Sequence, residues 1–438
     1  MLVLKFGGTS VGKPERMKRV AGLCLDTPGK KIVVLSALSG TTNTLVTIGD
    51  HLMGGRSADE HIDALEEHYR DFVSRLFESD SFRAIGLETV SRFFVFIRLL
   101  AAGQFDQKSY RELLAQGELM STELFYQHLL EKKVQARLLP ALHFMSIDEN
   151  EEPELEKIAE RLKPLITSFR DIDIIVTQGY ICRNHRNEID NLKRGGSDYT
   201  ASLIGAAIGA EEIQIWTDID GMHNNDPRIV KKTIPIKELT FDEASELAYF
   251  GAKILHPSTI VPAQKYNVPV RLKNTMDEKA PGTIITSRAS GGVFKAVAAK
   301  DNITAINIRS SRMLMAYGFL RKVFEVFEQY KTPIDMITTS EVAVSVTIDN
   351  DKNLHLIQTE LEKFGTIHVE GGQTIISIVG NKITGSEGVL KNIFDALDQI
   401  PVRMVSCGGS NNNISILVRT EFKEKALIAL NEGLFDLR

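Results

Sequence analysis

Lys5-Phe6-Gly7-Gly8-Thr9-Ser10-Val11 follows directly on the apolar run Leu2-Val3-Leu4. The run reads as a short buried strand, and the paired glycines turn the backbone sharply behind it. A lysine at the strand end and bare N–H groups in the turn make a cradle for phosphate oxygens. The order differs from the Walker loop, in which the lysine follows the glycines. A Gly-Gly turn after a strand also serves as a plain tight connection, so the surrounding segments decide between the two readings.

Moving outward, residues 31–36 (KIVVLS) read as a second buried strand, and Pro14 suits the first turn of the helix between the two. Residues 172–177, 213–217 and 268–272 read as further strands. Residues 87–133 read as helical, with Leu113, Leu114, Gly117, Met120, Leu124, Phe125 and His128 on one side. Continuous apolar strands alternating with helices predict a three-layered α/β domain with a mostly parallel sheet over residues 1–290. Ligands of such sheets sit at the carboxyl ends of the strands. The glycine turn, residues 36–43 and residues 217–228 all fall there.

Past Ser290, Gly291-Gly292 opens a linker and the texture changes to short strands and helices. The segment GFLRKVFEVFEQ from Gly318 matches GVLKNIFDALDQ from Gly388, with Leu320/Leu390 and Phe324/Phe394 in register. Proline-led strands at Pro333 and Pro401 follow the two helices. Two βαββαβ units are predicted, over residues 303–370 and 371–438.

The 438 residues, 43% hydrophobic and 25% charged, fit two or three soluble globular domains. A net charge of −5 gives no reason to expect nucleic acid or anionic membrane as a partner. Cys24, Cys182 and Cys407 lack metal-ligand spacing, so reduced thiols and no protein-bound metal centre are expected. The most apolar run, 93–102, contains Arg98 and is too short to span a bilayer. With a strand beginning at once and no signal peptide, a cytoplasmic location is expected.

Four further segments carry chemistry. SALSGTTN from Ser36 places hydroxyl and amide groups past a strand end. QGELMS from Gln116 puts Glu118 in a helical pattern. LKRGGSDYT from Leu192 joins a basic pair and two glycines to Ser197-Asp198 at a helix start. Either residue could cap that helix; alternatively the glycines and Arg194 make an anion-binding start with an acid beside it. WTDIDGMHNNDPR from Trp216 is a polar strand-end loop of nucleotide-binding character, and GAKILHP from Gly251 adds a lysine.

Together these segments resemble the aspartokinase family, in the family's usual order and from Lys5 to the C-terminus, including paired ACT-type regulatory units. The end at Arg438 leads to the expectation of a monofunctional chain, without a fused homoserine dehydrogenase. The resemblance implies phosphoryl transfer from ATP with Mg2+ to the side-chain carboxylate of L-aspartate. This is the first step toward lysine, threonine and methionine. A carboxylate nucleophile with a pKa of about 3.9 is already ionised at neutral pH, so no general base is needed. Cations and N–H donors are needed instead, to hold the charge that spreads over the transferred group.

By resemblance, Lys5 contacts the transferring phosphoryl group and Asp198 orients it. Gly7, Gly8, Thr217, Asp218, His223, Arg228 and Lys253 belong to the nucleotide side. Thr42, Glu118, Arg194 and Ser197 belong to the aspartate side, with Arg194 on the α-carboxylate and Glu118 on the α-ammonium. His223 stands where the family commonly has tyrosine. Another amino-acid or carbamate kinase is the enzymatic alternative, although Glu118 speaks against an N-acylated substrate. A catalytically dead amino-acid sensor is the other.

The wording of 312–320 and 334–341 resembles the lysine-sensitive branch, implying L-lysine as feedback inhibitor. The implied site comprises Met313, Gly318, Phe319, Leu320, Asp335, Ser340 and Glu341. The helix start at Gly318 offers N–H donors to a carboxylate, and Asp335 and Glu341 offer partners to ammonium groups. The second repeat carries Arg403 where the first has Asp335, which suits an interface. Association through the ACT-type units into a homodimer or homotetramer is expected.

Overall fold

The computed structural model describes residues 1–192, 195–250, 255–310 and 317–437. They divide into two compact units, one of residues 1–222 and 255–289, the other of 223–254 and 290–438.

The first unit is built on β1 (Leu2–Phe6), β2 (Lys31–Leu35), β3 (Ala136–Leu138) and β4 (Ile174–Gln178), followed by a small hairpin of β5 (Ile181–Arg183) and β6 (Ile189–Asn191). Three more strands are β7 (Glu212–Thr217), β8 (Val270–Asn274) and β9 (Thr283–Thr286). The order is β3-β4-β2-β1-β7-β8-β9, parallel except for β9 against β8. β2 and β4 are buried at every residue, as strands covered by helices on both faces must be. Pro14 stands at the start of the helix Pro14–Asp26, as expected.

The long helical pattern resolves into two helices, Asp80–Ala102 and Gln107–Glu131. Gly103 ends the first, and the Asp106 carboxylate accepts from Ser109 N to start the second. Their apolar faces join one core with Phe6, Leu35, Tyr69, Phe94 and Phe125. Among the described residues no helix is long and apolar enough to cross a membrane.

In the second unit, β10 (Phe294–Arg309), β11 (Ile337–Thr339), β12 (Ala343–Ile348), β13 (Thr366–Gly380), β14 (Met404–Cys407) and β15 (Asn413–Arg419) form one antiparallel sheet. Its order is β11-β12-β10-β13-β15-β14. β10 and β13 run through both halves. Ile303 to Arg309 pairs with the start of β13 in the first half, and Phe294 to Lys300 pairs with its end in the second. The second half therefore takes a strand from ahead of the first repeat.

The repeated helices are Phe319–Gln329 and Val389–Ala396, each led by a glycine in the left-handed region, Gly318 at φ 81° and Gly388 at φ 75°. The proline-led strands begin later than the sequence suggests, at Ile337 and Met404. Proline has no N–H to donate. Asp335 and Arg403 do bond to the neighbouring strand, through Thr347 O at 2.9 Å and Leu417 O at 2.8 Å.

Candidate active site

The carboxyl ends of β1, β2, β4 and β7 lie side by side, so the loops after them share one edge of the sheet. Lys5, almost wholly buried, is the last residue but one of β1. Its Nζ lies 2.6 Å from Asp198 Oδ1 in the first turn of the helix Gly196–Ile208. Gly7 and Gly8 lead from β1 into a single turn, Gly8–Val11. Thr217 follows Trp216, the β7 partner of Phe6, which sets it beside the glycine turn.

Neither Ser197 nor Asp198 caps its helix. Gly195, left-handed at φ 74°, takes that position with no side-chain bond. Ser197 Oγ instead accepts from Ser36 Oγ at 2.8 Å, tying the helix to the β2 loop. Gly179 makes this approach possible, since a Cβ there would meet Ser197 Oγ at 2.3 Å.

Glu118 lies on the helix Gln107–Glu131, buried on the same loop. A Cβ at Gly117 would press on Ala37, Thr41 and Leu45 at 3.0–3.3 Å, so glycine lets the helix close on the β2 loop. Glu118 Oε1 accepts a long 3.4 Å bond from Ala37 N, while Oε2 is buried with no partner among the described residues. Burial pushes its carboxyl up to about 8, against the lowering effect of that amide. A buried acid with an unused oxygen is poised for a cation that brings its own hydrogen-bond donors. Thr42 is half-buried in the first turn of Thr41–Met53, next to Thr41, whose hydroxyl meets Tyr69 at 3.0 Å.

Tyr180 belongs to this cluster and escaped the sequence reading. It is non-glycine at φ 66°, held by Thr200 Oγ1 on its N–H at 2.8 Å and by Leu192 N on its carbonyl at 2.8 Å. Burial, with the Glu118 charge next in weight, drives its phenol above the usual range. The one signal available was its place after Gly179 at a strand end; left-handed backbone in a bulky residue is costly and concentrates at functional sites.

Asp218 Oδ1 accepts from Thr217 Oγ1 at 3.1 Å. His223 and Arg228 lie in the second unit. There His223 Nδ1 meets Thr233 Oγ1 at 2.8 Å, and Arg228 closes a forked pair on Asp226 at 2.9 and 2.7 Å. Arg194, Lys253 and Met313 lie outside the described residues. The structure thus brings together Lys5, Gly7, Gly8, Glu118, Ser197, Asp198 and Thr217 at one sheet edge. It presents an ammonium, backbone amides, hydroxyls and a buried acid, the equipment for handling an anion beside an ammonium compound.

Family comparison agrees. The amino acid kinase family matches residues 1–274, and an ACT domain matches residues 376–434. The chain belongs to the amino acid kinase family. The lysine-sensitive aspartokinase 3 of Escherichia coli is 34% identical, over 100% of this chain and 99% of that one. The chloroplastic aspartokinase 1 of Arabidopsis thaliana is 35% identical, over 99% and 80%. The crystal structure of E. coli aspartokinase III with aspartate and ADP superposes with TM-score 0.85, over 99% of this chain and 100% of that one at 34% identity. The same enzyme with lysine and aspartate gives 0.84, over 99% of each chain. Within its family the chain is an aspartokinase, an enzyme that phosphorylates the side-chain carboxylate of aspartate.

Proposed function

We propose that the sheet edge around Lys5 transfers the γ-phosphoryl group of ATP to L-aspartate, giving 4-phospho-L-aspartate, under feedback by L-lysine. The observation that carries the catalytic assignment is the Lys5–Asp198 pair at the mouth of the glycine turn. Asp198 holds the ammonium in place, and the ammonium with the Gly7 and Gly8 amides takes up charge as the phosphoryl group moves. Glu118, with its spare oxygen, receives the aspartate ammonium, and Arg194 its α-carboxylate. Thr42 and Ser197 add hydroxyl contacts. Thr217, Asp218, His223, Arg228 and Lys253 serve the nucleotide. ATP brings Mg2+, a hard cation that takes phosphate and water oxygens with one or two carboxylates. Asp198 and Asp218 are the carboxylates that would hold it, and it would supply positive charge to the phosphates.

Residues 1–290 form the catalytic part, although 223–254 fall in the second compact unit, and 303–370 and 371–438 form the ACT-type units, the second completed by pairing with 294–300. The lysine site comprises Met313, Gly318, Phe319, Leu320, Asp335, Ser340 and Glu341, supported by likeness to the E. coli enzyme. Leu320 and Phe324 in one repeat and Leu390 and Phe394 in the other are all exposed. Such matched apolar positions suit burial in a homodimer or homotetramer. The location is cytoplasmic.

A coupled assay of ADP release with aspartate, glutamate or N-acetylglutamate tests the reading. Turnover with aspartate alone is expected; turnover with N-acetylglutamate and none with aspartate would overturn it.

A further inference from the structure

Asp335 has the most buried carboxylate of the presumed effector site, its side chain 1% exposed. It is not waiting for a ligand. Lys300 Nζ, from β10, lies 2.7 Å from Asp335 Oδ1 and 2.9 Å from Asp349 Oδ2. Tyr249, at the end of the helix Phe241–Tyr249, donates its hydroxyl to the same Oδ1 at 3.2 Å. The Lys300 ammonium also sits 4.7 Å from the Tyr249 ring centroid, within cation–π range. Among the described residues, Oδ2 of Asp335 has no partner. One oxygen is therefore crowded and the other empty.

We propose that Lys300 is a built-in competitor of the cationic effector. Its ammonium holds the Asp335 carboxylate, and an incoming effector ammonium engages Asp335 by displacing it. The inference rests on the lysine reading of this site and adds how occupancy is set and relayed. Three groups are needed: the acid, the tethered ammonium, and a second acid, Asp349, toward which the ammonium can retreat without being left unpaired. Asp349 is 35% exposed, so a lysine shifted toward it remains partly hydrated. Burial raises the Asp335 carboxyl; on Lys300 burial works the other way and is outweighed by Asp335 and Asp349, which raise its ammonium.

The displaced contact has somewhere to report. Tyr249 loses its acceptor when Asp335 turns to the effector. Next to it, Phe250 is buried among Ile303, Ala305, Met336, Ile375, Met404 and Leu417. Tyr249 stands four positions ahead of Lys253 in the sequence. A change at Asp335 would thus be felt at the end of the helix Phe241–Tyr249.

The test is lysine inhibition of the full chain, together with lysine binding by calorimetry, in wild type, Lys300→Met, Lys300→Arg and Asp349→Asn. Removing the internal ammonium should lower the half-inhibitory lysine concentration by about tenfold, because the effector no longer binds against an occupied state. Lys300→Arg should stay near wild type. Asp349→Asn removes the retreat and should weaken lysine severalfold. Should Lys300→Met fold poorly, free lysine should raise its Tm more than it raises that of wild type, since the ligand supplies the missing partner. Wild-type inhibition with unchanged or weaker lysine binding in folded Lys300→Met, and no extra gain in Tm, would overturn the competition alone. A wild type and a Lys300→Met protein that both ignore lysine would overturn the lysine reading as well. Lysine binding confined to Lys300→Met would uphold the competition.

Discussion

Two lysine–aspartate pairs, each with one partner buried and the other half-buried, stand in the two units at nearly equal distances, 2.6 Å for Lys5–Asp198 and 2.7 Å for Lys300–Asp335. Their surroundings differ. Among the described residues, Lys5 has one acid and a glycine turn beside it, so its ammonium retains capacity for an oxyanion. Lys300 has two acids and a tyrosine ring around it among the described residues. The same ion pair is open toward a ligand's negative charge in one place and closed around a positive one in the other. Neighbours, not the pair itself, set its task.

The strongest way to break this contrast is Lys5→Ala. Turnover should fall roughly 100-fold or more in a folded protein, while the lysine concentration that half-inhibits the residual activity stays put. Steady-state rates with and without lysine check both halves. Near-normal kcat would reduce Lys5 to the end of a strand.

Next is Glu118→Gln. The KM for aspartate should rise about tenfold, and that for ATP much less, since a charged partner is lost only on the ammonium side. Initial-rate kinetics in both substrates decide; an equal rise in the two would place Glu118 in structural support.

A smaller effect sharpens the same point through pH. With its carboxyl at about 8, Glu118 is protonated in the empty site at neutral pH. An ammonium partner favours the ionised form, so wild-type KM for aspartate should fall as pH rises toward 8 and flatten above it. Stability runs the other way. A raised carboxyl pKa gives a contribution fully present below the ordinary carboxylate range and lost as pH climbs through about 8. The Tm of the ligand-free enzyme should therefore drop over that interval, and Glu118→Gln should remove both slopes.

The least effect belongs to Trp216. Its ring is buried, stacked on Phe6 at 5.7 Å and covered by Lys273 Nζ at 4.7 Å. MgATP should change its fluorescence modestly, acting through its neighbours, and aspartate alone less. A response to aspartate exceeding that to nucleotide would contradict the assignment of the β7 end.

Much of the catalytic unit was legible in the sequence because its signals are local. Apolar runs become buried parallel strands, and Gly7-Gly8 and Gly195-Gly196 stand where the backbone turns into a helix. Glu118 was legible only through family wording, since nothing in QGELMS says that the helix closes on Ala37. Tyr180 was missed because left-handed backbone at a tyrosine has no sequence signature. In the regulatory unit the repeat was visible in Gly318 and Gly388. The Lys300–Asp335–Asp349 cluster was not, because it forms from positions on separate strands and connections. Asp335 in isolation looked like a free acid; Arg403, its counterpart in the second repeat, pairs instead with half-buried Glu370 at 3.1 Å. Pairing across a sheet is tertiary information.

The nesting of the regulatory sheet has a consequence for synthesis. Phe294 to Lys300 leaves the ribosome well before Ile375 to Gly380, the segment it pairs with. At roughly 5–20 residues per second the wait is on the order of ten seconds. Over that interval the first repeat is complete in sequence, while one end of β10 hangs as an unpaired, mostly buried-type strand, AVAA in sequence from Ala296. Unpaired edges of that kind recruit neighbouring chains. Nascent chains held between these two points are therefore the form of this protein most in need of a chaperone.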